Sequence, residues 1–129
     1  MTNPSKADYI FHVEFNHVHG YGLGIQNDFG GIYMAAGACY TYPLSKVQQE
    51  CYTYNHIYNN LVHNVTAYYN GGNHIYTDAG SCKNTIESNL LLGAPHNGGY
   101  IYHHCGLDNL SKNNIIHRYC KKKYSQVFP

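Results

Sequence analysis

Gly72-Asn73-His74-Ile75-Tyr76-Thr77-Asp78-Ala79-Gly80 is echoed downstream by Gly99-Tyr100-Ile101-Tyr102-His103-His104-Cys105-Gly106. Each copy runs into a polar turn and then an Asn-led apolar trio, Asn89-Leu90-Leu91 after the first and Asn114-Ile115-Ile116 after the second. Ile101 follows Ile75 by 26 residues and Asn114 follows Asn89 by 25, so two markers keep nearly one period. A period of this size, built from short β-type segments and polar turns, suggests a solenoid in which each coil buries its apolar side against the next. Leucine-rich repeats share the period but need a leucine ladder, which this chain lacks. Alternation of Ile75 and Thr77 with Tyr76 and Asp78 sends neighbouring side chains to opposite faces of a strand. Gly, Asn, Asp and Ser supply the positive-φ corners that a coil requires. The expected fold is all-β, a right-handed parallel β-helix of about four to five coils. An antiparallel all-β domain with accidental repetition is the alternative.

Upstream, Asn16-His17-Val18-His19 and Asn60-Leu61-Val62 have the same Asn-led form as the two later trios, which predicts one shared corner. Val13, Phe15 and Val18 read as one face of the first coil. Ile32-Tyr33 matches Ile75-Tyr76 and Ile101-Tyr102, but the first interval is 43 residues. The excess is assigned to a protruding loop over about 35–54, and loops of this kind often wall a cleft. Coils are expected over about 9–118, followed by a basic tail at 119–129 that contains Lys121-Lys122-Lys123.

The 129 residues suffice for a single domain, 1–129. A formal charge of +1 and 12% charged residues give no basic field, which argues against nucleic acid as a partner. No apolar run approaches the roughly 20 residues that cross a bilayer, so no membrane partner is expected. Neither end resembles a cap, which suggests a fragment of a longer secreted β-helix with a tendency to pair end to end as a homo-oligomer. An extracellular location also agrees with the sequons at Asn64 and Asn109 and with five cysteines. Cys39 with Cys51, and Cys82 with Cys105, are the candidate disulfide pairs, the second because its spacing is close to one coil. Ten histidines match no recognised zinc signature, so neither a metal nor another cofactor is expected.

Three strings in order, Asp28-Phe29-Gly30-Gly31-Ile32-Tyr33, His74-Ile75-Tyr76-Thr77-Asp78-Ala79-Gly80-Ser81 and Tyr102-His103-His104-Cys105-Gly106-Leu107-Asp108-Asn109, resemble right-handed parallel β-helix proteins of the carbohydrate-active group. In that group the blocks read Asp-x-Gly-Gly-Ile-Tyr, Gly-Ile-Tyr-x-Asp-x-Gly-Ser and His-x-His-x-Gly-x-x-Asn. The resemblance covers about Asn16 to Arg118 and implies a fucosidase- or xylanase-like glycoside hydrolase, with Asp28 and Asp78 at the positions of the catalytic pair. His74, Tyr102 and Ala79 depart from the group's pattern.

Hydrolysis of a glycosidic bond needs one carboxyl group to protonate the leaving oxygen and another to attack or to activate water. Of the seven acidic residues, Asp28 and Asp78 lie among Gly and aromatic residues beside the matched Ile-Tyr pairs. Their bland role is an Asx turn at a corner. Tyr33, Tyr76 and Tyr102 would form a ladder on which a sugar can stack, although such rows also stabilise coils. His104 falls at the offset of Asp78 in the preceding coil. The expected cleft thus holds Asp28 and Asp78 as catalytic residues, with Tyr33, His74, Tyr76, Tyr102, His103 and His104 on the polysaccharide or glycan. The alternatives are a non-catalytic β-helix scaffold that self-assembles or binds glycans, and, more weakly, a polysaccharide lyase.

Overall fold

The computed structural model describes residues 9–35, 53–69, 71–93, 95 and 98–118. Those residues contain eleven strands and no helix. They are β1 (Tyr9–Glu14), β2 (His17–Tyr21), β3 (Phe29–Ala35), β4 (Thr53–Tyr58), β5 (Leu61–Val65), β6 (Gly72–Asp78), β7 (Asn84–Glu87), β8 (Leu90–Leu92), β9 (Ile101–His103), β10 (Leu110–Lys112) and β11 (Ile115–His117).

All pairings are parallel. Sheet A runs β1-β4-β7-β10, sheet B runs β11-β8-β5-β2 and sheet C runs β3-β6-β9. Each sheet therefore collects every third strand, and the chain visits A, B and C in rotation. That is the topology of a parallel β-solenoid, and the antiparallel alternative is excluded. The protruding loop expected over about 35–54 falls between β3 and β4, and residues 35, 53 and 54 belong to those strands. Its interior, including Cys39 and Cys51, and the tail at 119–129 lie outside the described residues.

The core is a set of rows along the stacking direction. Val13, Ile57 and Ile86 are in register in sheet A, Val18, Val62 and Leu91 in sheet B, and Ile32, Ile75 and Ile101 in sheet C. Ile57, Ile75, Ile86, Val62 and Leu91 are completely buried, and full burial of such a side chain contributes roughly 1.5–3 kcal/mol.

Asparagine makes the corners. Phe15, Asn59, Ser88 and Asn113 have φ of 55°, 55°, 55° and 53°, and each immediately precedes a stacked asparagine. The Asn16, Asn60 and Asn89 backbone N–H groups donate to Oδ1 of Asn60, Asn89 and Asn114 respectively, each at 3.0 Å. Their side-chain Nδ2 groups donate to the same oxygens at 3.0, 2.9 and 2.9 Å. The four Asn-led segments thus share one corner, as their form predicts. Phe15 departs from its expected place on a strand face: it occupies the left-handed position at this corner and is 75% exposed.

A second ladder joins Asn55, Asn84 and Asn109 through side-chain amides at 2.8 and 2.7 Å. Asn109 also donates from Nδ2 to the Ser81 carbonyl at 2.9 Å, so that candidate sequon asparagine is engaged in the corner. Asn64 is exposed. Cys82 is disulfide-bonded, but its partner is not Cys105. Cys105 is a free, exposed thiol, so matching the coil period did not bring those two sulfurs into bonding geometry.

Asn89→Ala removes four side-chain hydrogen bonds from the middle of a buried ladder, those with Asn60 N, Asn60 Nδ2, Ile57 O and Asn114 Oδ1. A buried polar group left unpaired costs about 1–3 kcal/mol. The expected loss is roughly 3 kcal/mol or more in urea unfolding, whereas Asn16→Ala at the ladder's exposed member costs clearly less. Equal losses would show that the ladder does not act as a stack.

Candidate functional site

The outer face of sheet C carries the tyrosine ladder. Tyr33 is in register with Tyr76, and Tyr76 with Tyr102. Their ring centroids are 5.1 and 5.2 Å apart. Tyr76 is 2% exposed, while Tyr33 and Tyr102 are 44% and 46% exposed, so the middle ring is packed between two accessible ones. One row further along, Asp78 at the end of β6 sits beside Ala35.

The next pass places His104 against Asp78. The His104 backbone N–H donates to the Thr77 carbonyl at 2.8 Å, and its ring Nδ1 lies 2.6 Å from Asp78 Oδ1. The same Oδ1 accepts the Ala79 N–H at 2.6 Å, and the Tyr33 hydroxyl donates to Oδ2. Burial alone would raise the Asp78 pKa. Hydrogen bonds from Tyr33, His104, the Ala79 N–H and Tyr76 outweigh it and hold the carboxyl below its ordinary range. The Tyr33 hydroxyl is correspondingly pushed up to about 12, first by its hydrogen bond to Asp78, then by burial and by the charges of Asp78 and Asp28.

Asp28 reaches the same region from the opposite end of the sheet. It adopts φ of 51° just before β3, against Gly71, where an added Cβ would lie 2.8 Å from the Asp28 Cα and backbone N. Asp28 and Asp78 therefore occupy different rows and do not stack. They nevertheless act on one phenol: burial and then the charges of Asp28 and Asp78 raise the Tyr76 pKa. Between these groups is an open groove of about 680 Å³, bordered by Asp28, Tyr76, Tyr102 and His104, with Asn73, Gly71 and Gly98-Gly99 completing it.

The structure brings Asp28, Tyr33, Tyr76, Asp78, Tyr102 and His104 together and leaves out two expected members. His74 is fully buried, with Nε2 2.9 Å from the Leu92 carbonyl and its ring against Tyr100. It stands between the Gly30–Asn73 and Ile32–Ile75 pairs of the β3–β6 ladder and packs instead of facing the groove. His103 follows the inward row of Met34 and Thr77. Its Nδ1 lies 2.6 Å from Thr77 Oγ1 and its Nε2 2.9 Å from Ser111 Oγ. Strand alternation separates it from His104. Burial lowers the pKa of both, opposed at His74 by the bond to Leu92 and reinforced there by His63.

The lining residues missed from sequence are Asn73, Gly71, Gly98 and Gly99. Their signal was present, since Gly30-Gly31, Gly71-Gly72 and Gly98-Gly99 each precede an Ile-Tyr pair. A Cβ on Gly98 would lie 2.3 Å from the Gly72 carbonyl oxygen, and the Gly99 N–H donates to Asn73 Oδ1 at 2.7 Å.

Elsewhere, sheet A presents a second hollow of about 400 Å³ where Glu87 meets His56 at 2.6 Å and Lys112 at 3.1 Å. Sheet B carries His17, His19 and His63, with the Nε2 atoms of His17 and His63 2.7 Å apart. Among the described residues, no group of three or more His, Cys, Asp and Glu side chains is arranged to hold a metal ion. No helix among them is long and apolar enough to cross a membrane. No family model, curated protein or solved structure matches this chain.

Two outcomes follow from the titrating groups. Tyr33→Phe removes one donor from Asp78, so the Asp78 pKa should rise toward the ordinary value of about 3.9; carboxyl ¹³C titration reads this, and an unchanged value would mean that the Tyr33 bond does not hold the charge. His74 and His103 have lowered folded-state pKa values, so the folded protein binds fewer protons than the unfolded chain. Their contribution is present above the usual histidine value of about 6.5 and is lost as pH falls through the lowered folded values. The urea midpoint should therefore fall between pH 7 and pH 5, and His74→Gln should flatten that fall.

Proposed function

We propose that the groove on sheet C binds a neutral polysaccharide and that the protein is a glycoside hydrolase-like enzyme using Asp28 and Asp78. One observation carries this reading: Asp28 borders an open groove with Tyr76, Tyr102 and His104, and the Asp78 carboxylate stands 2.6 Å from the His104 ring. Paired carboxyl groups supply the acid and base work of glycoside cleavage. Tyr102 offers an exposed ring whose face suits the C–H surface of a sugar, while the glycines keep the approach shallow. The sequence motifs shared with carbohydrate-active β-helix proteins support the same reading.

Charge narrows the substrate class. Among the described residues no Lys or Arg borders the groove, and the Asp28 carboxylate there disfavours a polyuronate, which also weakens the lyase alternative. A scaffold reading is favoured by a different observation, the exposure of Phe11 and Phe15 near the first strand and of Ile115 and Ile116 on the last described one. In that reading the chain self-assembles through its end strands and cleaves nothing.

The test is a panel of neutral plant-type polysaccharides, assayed for binding by affinity electrophoresis and for cleavage by released reducing ends. Wild type should bind and cleave at least one. Asp28→Asn should keep binding and lose about 10²–10⁴-fold in turnover. Assembly without binding or cleavage would overturn the reading in favour of the scaffold.

A further inference from the structure

We infer that the group which moves a proton to the departing sugar is His104, and that Asp78 is its positioning residue. This inference rests on the hydrolase reading and changes the role of one of its two aspartates.

The first ground is occupancy. Both Asp78 oxygens are engaged, Oδ2 by the Tyr33 hydroxyl and Oδ1 by His104 Nδ1 and the Ala79 N–H. A carboxylate holding three donors is stabilised as an anion, which makes it a poor nucleophile and a poor acid. Location is the second ground. Asp28 and His104 border the groove and Asp78 does not; its side chain lies behind, largely covered, against His104. The third is orientation. An ionised carboxylate can only accept, so Nδ1 of His104 carries the hydrogen in this contact. Nε2 is then the nitrogen that exchanges its proton, the arrangement that a carboxylate imposes on an imidazole in acid–base sites. The Tyr102 ring, nearly parallel to His104 at 11° and 6.1 Å between centroids, flanks the imidazole.

The chemistry then runs as a single displacement. The Asp28 carboxylate takes a proton from a water molecule as the water oxygen bonds to the anomeric carbon. The bond from that carbon to the glycosidic oxygen breaks, and its electron pair stays on the oxygen. That oxygen takes the Nε2 proton of the His104 imidazolium, whose charge Asp78 stabilises. Two sugar fragments leave, and the Asp28 carboxylic acid and neutral His104 return to their starting states through solvent. Because water attacks directly, the anomeric configuration inverts.

The experiment compares wild type with His104→Gln, Asp78→Asn and Tyr33→Phe as pH profiles of kcat/KM on whichever polysaccharide the panel identifies, with the anomer of the product read by ¹H NMR. His104→Gln should lose about 10²–10⁴-fold. Asp78→Asn should retain measurable turnover, with its alkaline limb moved to lower pH because the imidazolium has lost its anion. Tyr33→Phe should keep measurable turnover and move that limb the opposite way, because the Asp78 carboxylate, relieved of one donor, holds the imidazolium more strongly. Imidazole ¹⁵N shifts of the wild type provide a measurement independent of variant folding: Nδ1 should stay protonated while Nε2 titrates. An Nε2–H tautomer in neutral His104, retention of configuration, or an unchanged profile in His104→Gln alongside complete loss in Asp78→Asn would overturn the role of His104 and leave the two-aspartate hydrolase standing. A wild type that cleaves none of the panel would overturn the hydrolase reading and this role with it.

Discussion

In-register parallel stacking is the constraint on which this structure depends. Each inward side chain lies over its counterpart in the next pass, about 4.8 Å away, so a row tolerates only residues that can repeat. Aliphatic rows meet that condition by burial. Asparagine meets it by carrying a donor and an acceptor on one short side chain, so Asn16, Asn60, Asn89 and Asn114 pass hydrogen bonds along the stack. Aspartate could not replace them, because an ionised carboxyl only accepts and four charges in file would repel.

The same rule explains where the acidic residues of the groove sit. Asp28 and Asp78 are on different rows, one beside Gly71 and the other beside Ala35. Among the described residues, neither meets a like charge above or below. Asp78 instead meets His104 on the following pass, an opposite partner delivered by the repeat that stacks Tyr33, Tyr76 and Tyr102. Convergence on Tyr76 is therefore a product of lateral offset within one sheet, and the ladder and the groove are two faces of a single arrangement.

Burial separates the histidines by role. His74 is fully buried in surroundings that disfavour its charged form, His103 lies at the exposed end of its row with hydrogen bonds to Thr77 and Ser111, and His104 borders the groove against a carboxylate. Three residues of the same chemistry thus become a core group, an exposed hydrogen-bonding group and a groove group.

The sequence by itself determined what repetition can express. The 26-residue interval, the alternation around Ile75 and the Asn-led trios are periodic signals, so the parallel stacking, the aliphatic rows, the tyrosine register and the pairing of His104 with Asp78 were all legible. The Gly-Gly pairs are legible as well, although their part in bordering the groove depends on the stacking of the passes. Only the tertiary structure decided what depends on lateral position and side-chain direction. His74 is buried against Leu92 and Tyr100 instead of facing the groove, and Phe15 left the strand face because the corner needs a left-handed residue before Asn16. Cys105 stayed a free thiol although its spacing from Cys82 nearly fits one pass. Disulfide formation depends on the mutual aim of two Cβ atoms as well as on spacing. Spacing along a chain sets which residues share a level, while the shape of each corner, formed by contacts between passes, sets which of them meet.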